Sequence, residues 1–392
     1  MSSIEEMRRI FFFTVILISQ LTIAQSANDE SAENVIIESK ILSESRELLV
    51  SLPKNYSSQK KYPVSYVLDG ESLFEGHKDV VNYLSEKNVI PEMIVVGIVN
   101  KNRSSDLTHV SDSTSNFQPN GGGQNFESFI EDELIPYIDS VYSTAPFRVL
   151  TGHSISGLFA TRLALNGPDM FNAFLIIDPA IWWAEMEVLK NRKTELVYSK
   201  LNDKKLFLGI ANSLPSNIES IETALKDTTN ATLGIRSVFK FKDLLNRRNP
   251  EKTFWRSQFY ENESHGTIPF ISTYDGFKYI FNFFKRPSFQ TLTDNSPTIL
   301  DDHYKMLSEK MGYTILPPAY DLSGLAWRCT ELEKNHDLAY LFLELFLKYY
   351  PDDPMAYMQM GQHYELIGQN EKAQEYYQKG IELGYDPNEN NN

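Results

Sequence analysis

The stretch that decides the fold spans residues 147–164 and reads FRVLTGHSISGLFATRLA. A β-branched run comes first, the Gly- and Ser-rich residues 152–157 follow, and a helical pattern starts at Leu158. A strand, a sharp turn and a helix in this order are typical of a nucleophile elbow, in which a serine sits on a strained turn. Its hydroxyl is then exposed at a helix N-terminus, where backbone N–H groups can stabilise an oxyanion. Ser154 is therefore the predicted nucleophile.

The motif departs from the usual pattern at one position. The G-x-S-x-G pattern has glycine two residues after the serine, whereas this chain has Ser156 there and Gly157 one place later. Serine is small enough for tight packing of the strand against the helix, so the elbow remains the favoured interpretation. The alternative is an ordinary turn before a helix.

Length and composition bound the remaining interpretations. The chain has 392 residues, of which 42% are hydrophobic and 23% charged, as in soluble proteins with a large core and room for a second unit. The formal net charge of -15 argues against nucleic acid or an anionic membrane surface as a partner. Cys329 is the only cysteine, so no intrachain disulfide can form.

The N-terminus has the pattern of an export signal. Arg8 and Arg9 precede an apolar run over residues 10–18, and the small Ala24 stands where cleavage is expected. The run is too short for a comfortable membrane span. We therefore expect residues 1–24 to be a signal peptide and the mature protein to be periplasmic or secreted, without membrane contact; the alternative is a buried first helix.

Alternating strand and helix patterns fill the chain as far as residue 285. An antiparallel start followed by strands alternating with helices predicts an α/β fold with a mostly parallel, doubly wound sheet over residues 35–285. Functional side chains of such sheets lie at the carboxyl ends of the strands. The strands are predicted at residues 35–42, 47–52, 64–68, 93–99, 147–151, 173–177, 205–210 and 255–260.

The composition changes after residue 285. Residues 286–300 are rich in Pro, Ser, Thr and Asn and are predicted to be a linker, followed by a helical region over residues 301–386. One good tetratricopeptide-like repeat and one degraded repeat cannot easily stand alone. We expect the two repeats to pack on the catalytic domain or on another subunit, which is either a partner protein or a second copy of the chain in a homo-oligomer. The alternative is a plain helix pair. The residues with repeat spacing are Tyr357, Gly361, Tyr364, Gly368, Ala373 and Tyr377.

A serine nucleophile needs a base and, in most cases, an acid that orients the base. His265 follows the last predicted strand and is the candidate base, whereas His153 is expected to be structural. The loop after the strand over residues 205–210 has no acid before Glu219. Glu219 is therefore the expected acid, although with Ser216 it also fits a helix capping box. Asp178, after the preceding strand, and a dyad without an acid are the alternatives.

The oxyanion hole is expected to combine two backbone N–H groups. One belongs to Ile155, directly after the nucleophile, and the other to Gly70, in the loop after the third strand. Glycine at this position permits close approach of the backbone.

Three further side chains are candidates for substrate binding. Trp182 and Trp183 follow Asp178 at the same rim of the sheet, where they form either a wall of the substrate site or part of the core. Arg103 lies after the fourth strand, where it holds a substrate oxygen or pairs with Asp106.

Five segments together resemble the esterase D-like group of α/β-hydrolases, which includes siderophore, feruloyl and acetyl-xylan esterases and S-formylglutathione hydrolases. The resemblance covers residues 36–284 and implies a serine hydrolase that acts on esters without a metal or cofactor. The Trp-Trp pair and the missing acid look most like the exported siderophore-esterase branch, in which a Ser–His dyad is known. The segments are VLDG at 67–70, RSSDLT at 103–108, GHSISG at 152–157, DPAIWW at 178–183 and ESHG at 263–266.

Two functional hypotheses follow from these patterns. The leading one is an exported serine esterase whose substrate is a small-molecule ester, such as a siderophore or a plant-wall acyl ester. The alternative is an inactive hydrolase fold whose helical tail binds a partner protein. Retention of both Ser154 and His265 in the expected order disfavours the inactive form.

Overall fold

The computed structural model describes residues 32–166, 168–190, 201, 204–249, 251 and 254–386. The chain divides into two compact units, Met1–Lys285 and Arg286–Asn392. The predicted signal peptide lies outside the described residues.

The first unit is built on one sheet of eight strands in the order β1-β2-β4-β3-β5-β6-β7-β8. Antiparallel pairing joins β1 to β2 and β2 to β4, and every other neighbouring pair is parallel. The predicted α/β-hydrolase class, with a mostly parallel sheet, is confirmed. The strands are β1 Glu33–Ser39, β2 Glu44–Ser51, β3 Tyr62–Leu68, β4 Ile94–Ile98, β5 Thr144–His153, β6 Ala173–Ile177, β7 Lys205–Ala211 and β8 Trp255–Tyr260.

Helices cover both faces of this sheet, which explains why three of its central strands are buried along their whole length. All residues of β3, β4 and β6 are buried, as expected for parallel strands between two helical layers. The helices are α1 Gly70–Glu86, α2 Arg103–Leu107, α3 Gly123–Phe129, α4 Ile135–Val141, α5 Ile155–Asn166, α6 Trp183–Lys190, α7 Ile221–Lys226, α8 Leu233–Arg248 and α9 Ile268–Ile280. A π-helical turn, Ile130–Leu134, joins α3 to α4.

The second unit is helical, as predicted. Its first helix begins at Ser296, inside the predicted linker, because Ser296 and Pro297 are buried and proline suits the first turn of a helix. Gly361 lies so close to the Tyr377 ring that an added Cβ would come within 2.5 Å of it. The helices are α10 Ser296–Met311, α11 Ala319–Glu331, α12 His336–Tyr349, α13 Pro354–Leu366 and α14 Asn370–Glu382.

Among the described residues, no helix is long and apolar enough to cross a membrane.

A buried histidine makes the first unit sensitive to acid. His77 on α1 is 3% exposed, and its Nε2 lies 2.8 Å from Ser65 Oγ on β3. Burial lowers the pKa of His77 to about 3. Between that value and about 6.5, the ordinary pKa of histidine, the unfolded chain binds a proton that the folded chain does not. The free energy of unfolding therefore falls as the pH falls through this window.

We expect His77→Gln to weaken this acid sensitivity. One such proton lowers the free energy of unfolding by about 1.4 kcal/mol for each pH unit of acidification. Glutamine has no charged form to desolvate, so it lacks this contribution. Urea denaturation at pH 7, 6, 5 and 4 should show a shallower decline for His77→Gln than for wild type. Ser65→Ala is the control, because it removes the hydrogen bond but keeps the buried imidazole and hence the steep decline. Equal slopes for wild type and His77→Gln would contradict this assignment.

Candidate active site

The nucleophile candidate sits on a strained turn between β5 and α5. Ser154 has a φ of 61°, in the left-handed region that residues other than glycine rarely adopt. Its N–H donates to Ile177 O at 3.1 Å, and its carbonyl accepts from Leu158 N at 2.9 Å and Ala180 N at 2.8 Å. These bonds tie the turn to the end of β6 and hold the strained conformation.

Two glycines make the tight turn sterically feasible. A Cβ on Gly152 would lie 2.3 Å from the carbonyl oxygen of Ser156, and one on Gly157 would lie 3.0 Å from that of Ile177. Both neighbours are backbone atoms that cannot move aside cheaply. The strand, sharp turn and helix are therefore arranged as the sequence motif predicts.

A histidine and an aspartate form a hydrogen-bonded pair at the same edge of the sheet. His265 lies in the turn between β8 and α9, and its Nδ1 is 2.6 Å from Oδ2 of Asp178, which follows β6. Asp178 is 6% exposed, and its carboxylate also accepts from Ala211 N at 3.1 Å and Ser213 Oγ at 3.2 Å. The His265 side chain is 49% exposed. With Nδ1 bonded to the carboxylate, Nε2 is the nitrogen available for proton transfer.

The expectation for the acid was wrong, because Asp178 and not Glu219 contacts the base. Glu219 is exposed, and the following helix α7 is capped by Ser220, whose Oγ accepts from Thr223 N. Glu219 therefore has neither the predicted contact with the base nor the predicted capping role. The error arises because β6 and β7 are neighbours in the sheet, so the end of β6 lies beside the end of β7, where the acid was expected. Asp178 N accordingly donates to Gly209 O on β7 at 2.8 Å.

His153 lies against the base rather than away from the site. Its ring centroid is 4.5 Å from that of His265, with an interplanar angle of 38°. Burial, and then the charge of His265, lower the pKa of His153 to about 4. His153 is therefore neutral at pH 7 and can pack beside His265 without opposing an imidazolium there. Because His153 adjoins Ser154 in the chain, the contact also brings the base to the elbow.

The two predicted oxyanion donors both stand at helix N-termini. Gly70 is the first residue of α1 and Ile155 the first of α5, and N–H groups in a first helical turn have no intrahelical partner. Glycine at position 70 allows a close approach of two backbone segments. A Cβ there would lie 2.9 Å from the backbone of Gly97 and Ile98 on β4.

Arg103 pairs with Asp69 and not with Asp106, contrary to one of the two sequence expectations. Its Nε and Nη2 each lie 2.7 Å from a different carboxylate oxygen of Asp69. Asp106 instead accepts from Nη1 and Nη2 of the buried Arg46, at 2.7 and 2.9 Å. The guanidinium of Arg103 thus fixes the residue that precedes Gly70.

The two tryptophans have separate environments. Trp183 is 3% exposed and donates from Nε1 to Val110 O at 2.9 Å, so it belongs to the core and cannot form a substrate wall. Trp182 is half-buried and lines an open cleft of about 770 Å³ between α6 and α8. The other lining residues are Glu185, Met186, Leu189, Lys190, Leu233, Lys240, Asp243, Leu244 and Arg247.

Comparison with known proteins agrees with the fold of the first unit. Residues 39–211 match the family model described as "Putative esterase". A segment of 183 residues is 26% identical to the ferri-bacillibactin esterase BesA of Bacillus subtilis, covering 42% of this chain and 63% of BesA. The match therefore spans less than two thirds of that relative.

Solved structures extend the similarity over more of the chain. An IroE-like serine hydrolase from Shewanella oneidensis matches with a TM-score of 0.64 and 27% identity, over 81% of this chain and 100% of that one. The siderophore hydrolase EstA from Aspergillus nidulans shares the fold, with a TM-score of 0.54 and 21% identity over 66% of this chain and 96% of EstA. Together these similarities support the α/β-hydrolase fold and show that residues 39–211 are similar to esterases.

We expect Gly152→Ala to destabilise the first unit, because its Cβ would meet the Ser156 carbonyl at the elbow. Overpacking of this kind costs about 3 kcal/mol or more when backbone has to move. Gly234→Ala on α8 is the matched control, because an added Cβ there has no heavy atom within 4 Å. Urea denaturation should show a large loss of unfolding free energy for Gly152→Ala and little change for Gly234→Ala. Equal stabilities would contradict the steric argument.

Proposed function

We propose that this protein is an exported serine esterase that hydrolyses a small-molecule carboxylic ester through an acyl-enzyme on Ser154. The observation that carries the proposal is the juxtaposition of a strained serine turn with a histidine already oriented by a carboxylate. His265 is bonded to Asp178 at 2.6 Å, and its ring packs at 4.5 Å against the residue before Ser154. These contacts support the roles of nucleophile for Ser154, base for His265 and orienting acid for Asp178.

In the proposed first half-reaction, Ser154 Oγ attacks the ester carbonyl carbon while His265 Nε2 takes the hydroxyl proton. The carbonyl oxygen becomes an oxyanion, which accepts hydrogen bonds from the N–H groups of Gly70 and Ile155. Asp178 stabilises the imidazolium through Nδ1. The C–O bond to the alcohol then breaks, and the alcohol leaves with the proton from His265.

In the second half-reaction, water replaces the alcohol. His265 takes a proton from the water, and the resulting hydroxide attacks the acyl carbon. The bond to Ser154 Oγ breaks, and His265 returns its proton to the serine. The products are a carboxylic acid and an alcohol, and no other reactant is consumed.

The cleft beside Trp182 supports a substrate with an apolar or aromatic part. Trp182, Met186 and Leu244 supply apolar surface. Charges of both signs line the same cleft, because Glu185 and Asp243 stand beside Lys240 and Arg247. The lining therefore fits an ester with an aromatic part, such as a siderophore or a plant-wall acyl ester, and the named activity of BesA on a ferric siderophore favours the former.

Export and the role of the second unit are separate parts of the proposal. Export rests on the pattern of residues 1–24, with a basic flank and a short apolar run. The tetratricopeptide-like spacing coincides with the helix pair α13 and α14, which approach closely at Gly361. We propose that these helices serve as a contact for a partner protein or a second copy of the chain.

An inactive scaffold is the competing function. A fold that no longer needs catalysis has no reason to keep the elbow strain at Ser154 or the Asp178–His265 pair. Labelling with a fluorophosphonate separates the two functions, because only an activated serine reacts.

We expect a fluorophosphonate to label Ser154 and Ser154→Ala to lose hydrolysis of p-nitrophenyl esters by about 10⁶-fold, as when a nucleophile is removed from a serine hydrolase. Peptide mapping by mass spectrometry identifies the labelled residue. Ser237→Ala is the control, because this buried serine on α8 bonds only to Gly234 O among the described residues. An unlabelled protein, or a Ser154→Ala variant at the wild-type rate, would favour the scaffold.

We expect Asp178→Asn to lower kcat/KM by about 10⁴-fold, because an amide favours the wrong tautomer of the base. Glu219→Gln should leave kcat/KM within about twofold of wild type, because surface substitutions away from the site have small effects. Ester hydrolysis at pH 7.5 measures both, with circular dichroism to confirm folding. A dyad without an acid predicts a small effect of Asp178→Asn as well, and a collapse only for Glu219→Gln would return the role to Glu219.

A further inference from the structure

Ser156 occupies the position where the usual elbow has glycine, and its hydroxyl is completely buried. The residue is 0% exposed. Its Oγ accepts from His153 N at 2.8 Å and lies 2.7 Å from Oδ2 of Asp69 and 2.8 Å from His153 O. The hydroxyl has a single proton, and the ionised carboxylate is the stronger acceptor. The serine therefore links the elbow to Asp69, a residue 87 positions away along the chain.

Asp69 is held more firmly than its position in a loop suggests. The carboxylate is buried, receives the fork of Arg103 and also accepts from Asn100 Nδ2 at 2.6 Å. Its backbone has a φ of 56°, again in the left-handed region. Because Gly70 follows directly, the orientation of the Gly70 N–H depends on how Asp69 is fixed.

The two oxyanion donors belong to different elements, which makes their separation a structural problem. The N–H of Gly70 opens α1 after β3, and the N–H of Ile155 opens α5 after β5. An oxyanion hole requires each donor 2.7–3.1 Å from one oxygen. Displacements of about 1 Å at a reacting centre cost on the order of 10² in rate. A bridge between the two helix starts is therefore of direct use to catalysis.

We propose that Ser156 is a positioning residue, whose hydroxyl ties the nucleophile elbow to Asp69 and so sets the two oxyanion donors at the correct separation. This inference rests on the proposed esterase function. Ser156 does not touch the reacting atoms and acts through Asp69 and Gly70. Restoring the common motif with Ser156→Gly should therefore impair the enzyme instead of improving it.

A purely structural role for Ser156 makes a different prediction. Loss of packing alone would lower stability and affect all substrates alike. A misaligned oxyanion hole instead lowers kcat with little change in KM, because the lost interaction forms only in the transition state. A misaligned oxyanion hole also slows the hydrolysis of oxygen esters more than that of thionoesters. The larger sulfur of a thionoester forms weaker hydrogen bonds in the hole and so has less stabilisation to lose.

The test compares Ser156→Ala and Ser156→Gly with wild type on a matched pair of substrates, a p-nitrophenyl ester and its thiono analogue. We expect kcat for the oxygen ester to fall between about 10- and 100-fold, KM to change less than twofold, and the ratio of oxygen-ester to thionoester kcat/KM to fall. Ser237→Ala, another buried serine, should keep both kcat and this ratio. If a Ser156 variant does not fold, Ser156→Cys keeps the volume with only a weak donor and is expected to show the same drop.

A double-mutant cycle tests the route through Asp69. If the Ser156–Asp69 bond carries the effect, Ser156→Ala and Asp69→Ala should be strongly non-additive in kcat, since the first removes the donor and the second the acceptor of the same bond. An unchanged substrate ratio in a folded Ser156→Ala variant, or additive effects, would overturn this inference alone. Absence of Ser154 labelling and of activity in wild type would instead overturn the esterase proposal.

Discussion

The active-site edge depends on three left-handed turns at the carboxyl ends of adjacent strands. Asp69 after β3, Ser154 after β5 and Asp178 after β6 have φ values of 56°, 61° and 36°. None is glycine, and each such conformation costs about 1–2 kcal/mol. Strain of this kind persists only where surrounding contacts over-determine the backbone. Here the contacts come from the next strand, because Ser154 N is bonded to β6 and Asp178 N to β7. The parallel sheet therefore holds the turns, and the turns aim the side chains.

Electrostatics reinforce this arrangement because each buried carboxylate at the edge has its partners. Arg103, Asn100 and Ser156 satisfy Asp69, while His265, Ala211 and Ser213 satisfy Asp178. The two acids consequently have different roles. Asp69 is locked in a bidentate ion pair and fixes the backbone before Gly70, whereas Asp178 bonds to the half-exposed imidazole of His265. His153 lies between these two networks and stays neutral, because burial lowers its pKa to about 4.

Local pattern was sufficient for the strands and for the positions of Ser154 and His265 at strand ends, and insufficient for the carboxylate that contacts His265. The inner strands β4 and β6 are apolar runs, β1 and β2 alternate between buried and more exposed residues, and Ser154 and His265 each follow a strand in the expected order. The acid depends on which strands are neighbours across the sheet, which linear spacing does not encode. The same limitation applies to Arg103, whose partner Asp69 lies 34 residues earlier and not three residues later. Trp182 and Trp183 are adjacent in the chain but differ in burial, because Trp183 packs inward and donates to Val110 O while Trp182 lines an open cleft.

The serine at position 156 shows how a motif can change without losing its physical purpose. The usual glycine two residues after the nucleophile serves close packing of the helix against the sheet. In this chain Gly157 meets that requirement, since a Cβ there would approach Ile177 O and Pro179 within 3.1 Å. Position 156 is then free to carry a small polar side chain, provided that a buried acceptor lies nearby. Asp69 is that acceptor, and Arg103 and Asn100 keep its carboxylate in place. The change in motif and the charged network therefore depend on one another. Replacing Ser156 with glycine would leave the buried carboxylate of Asp69 with one hydrogen bond fewer, so the substitution would not recreate an ordinary elbow.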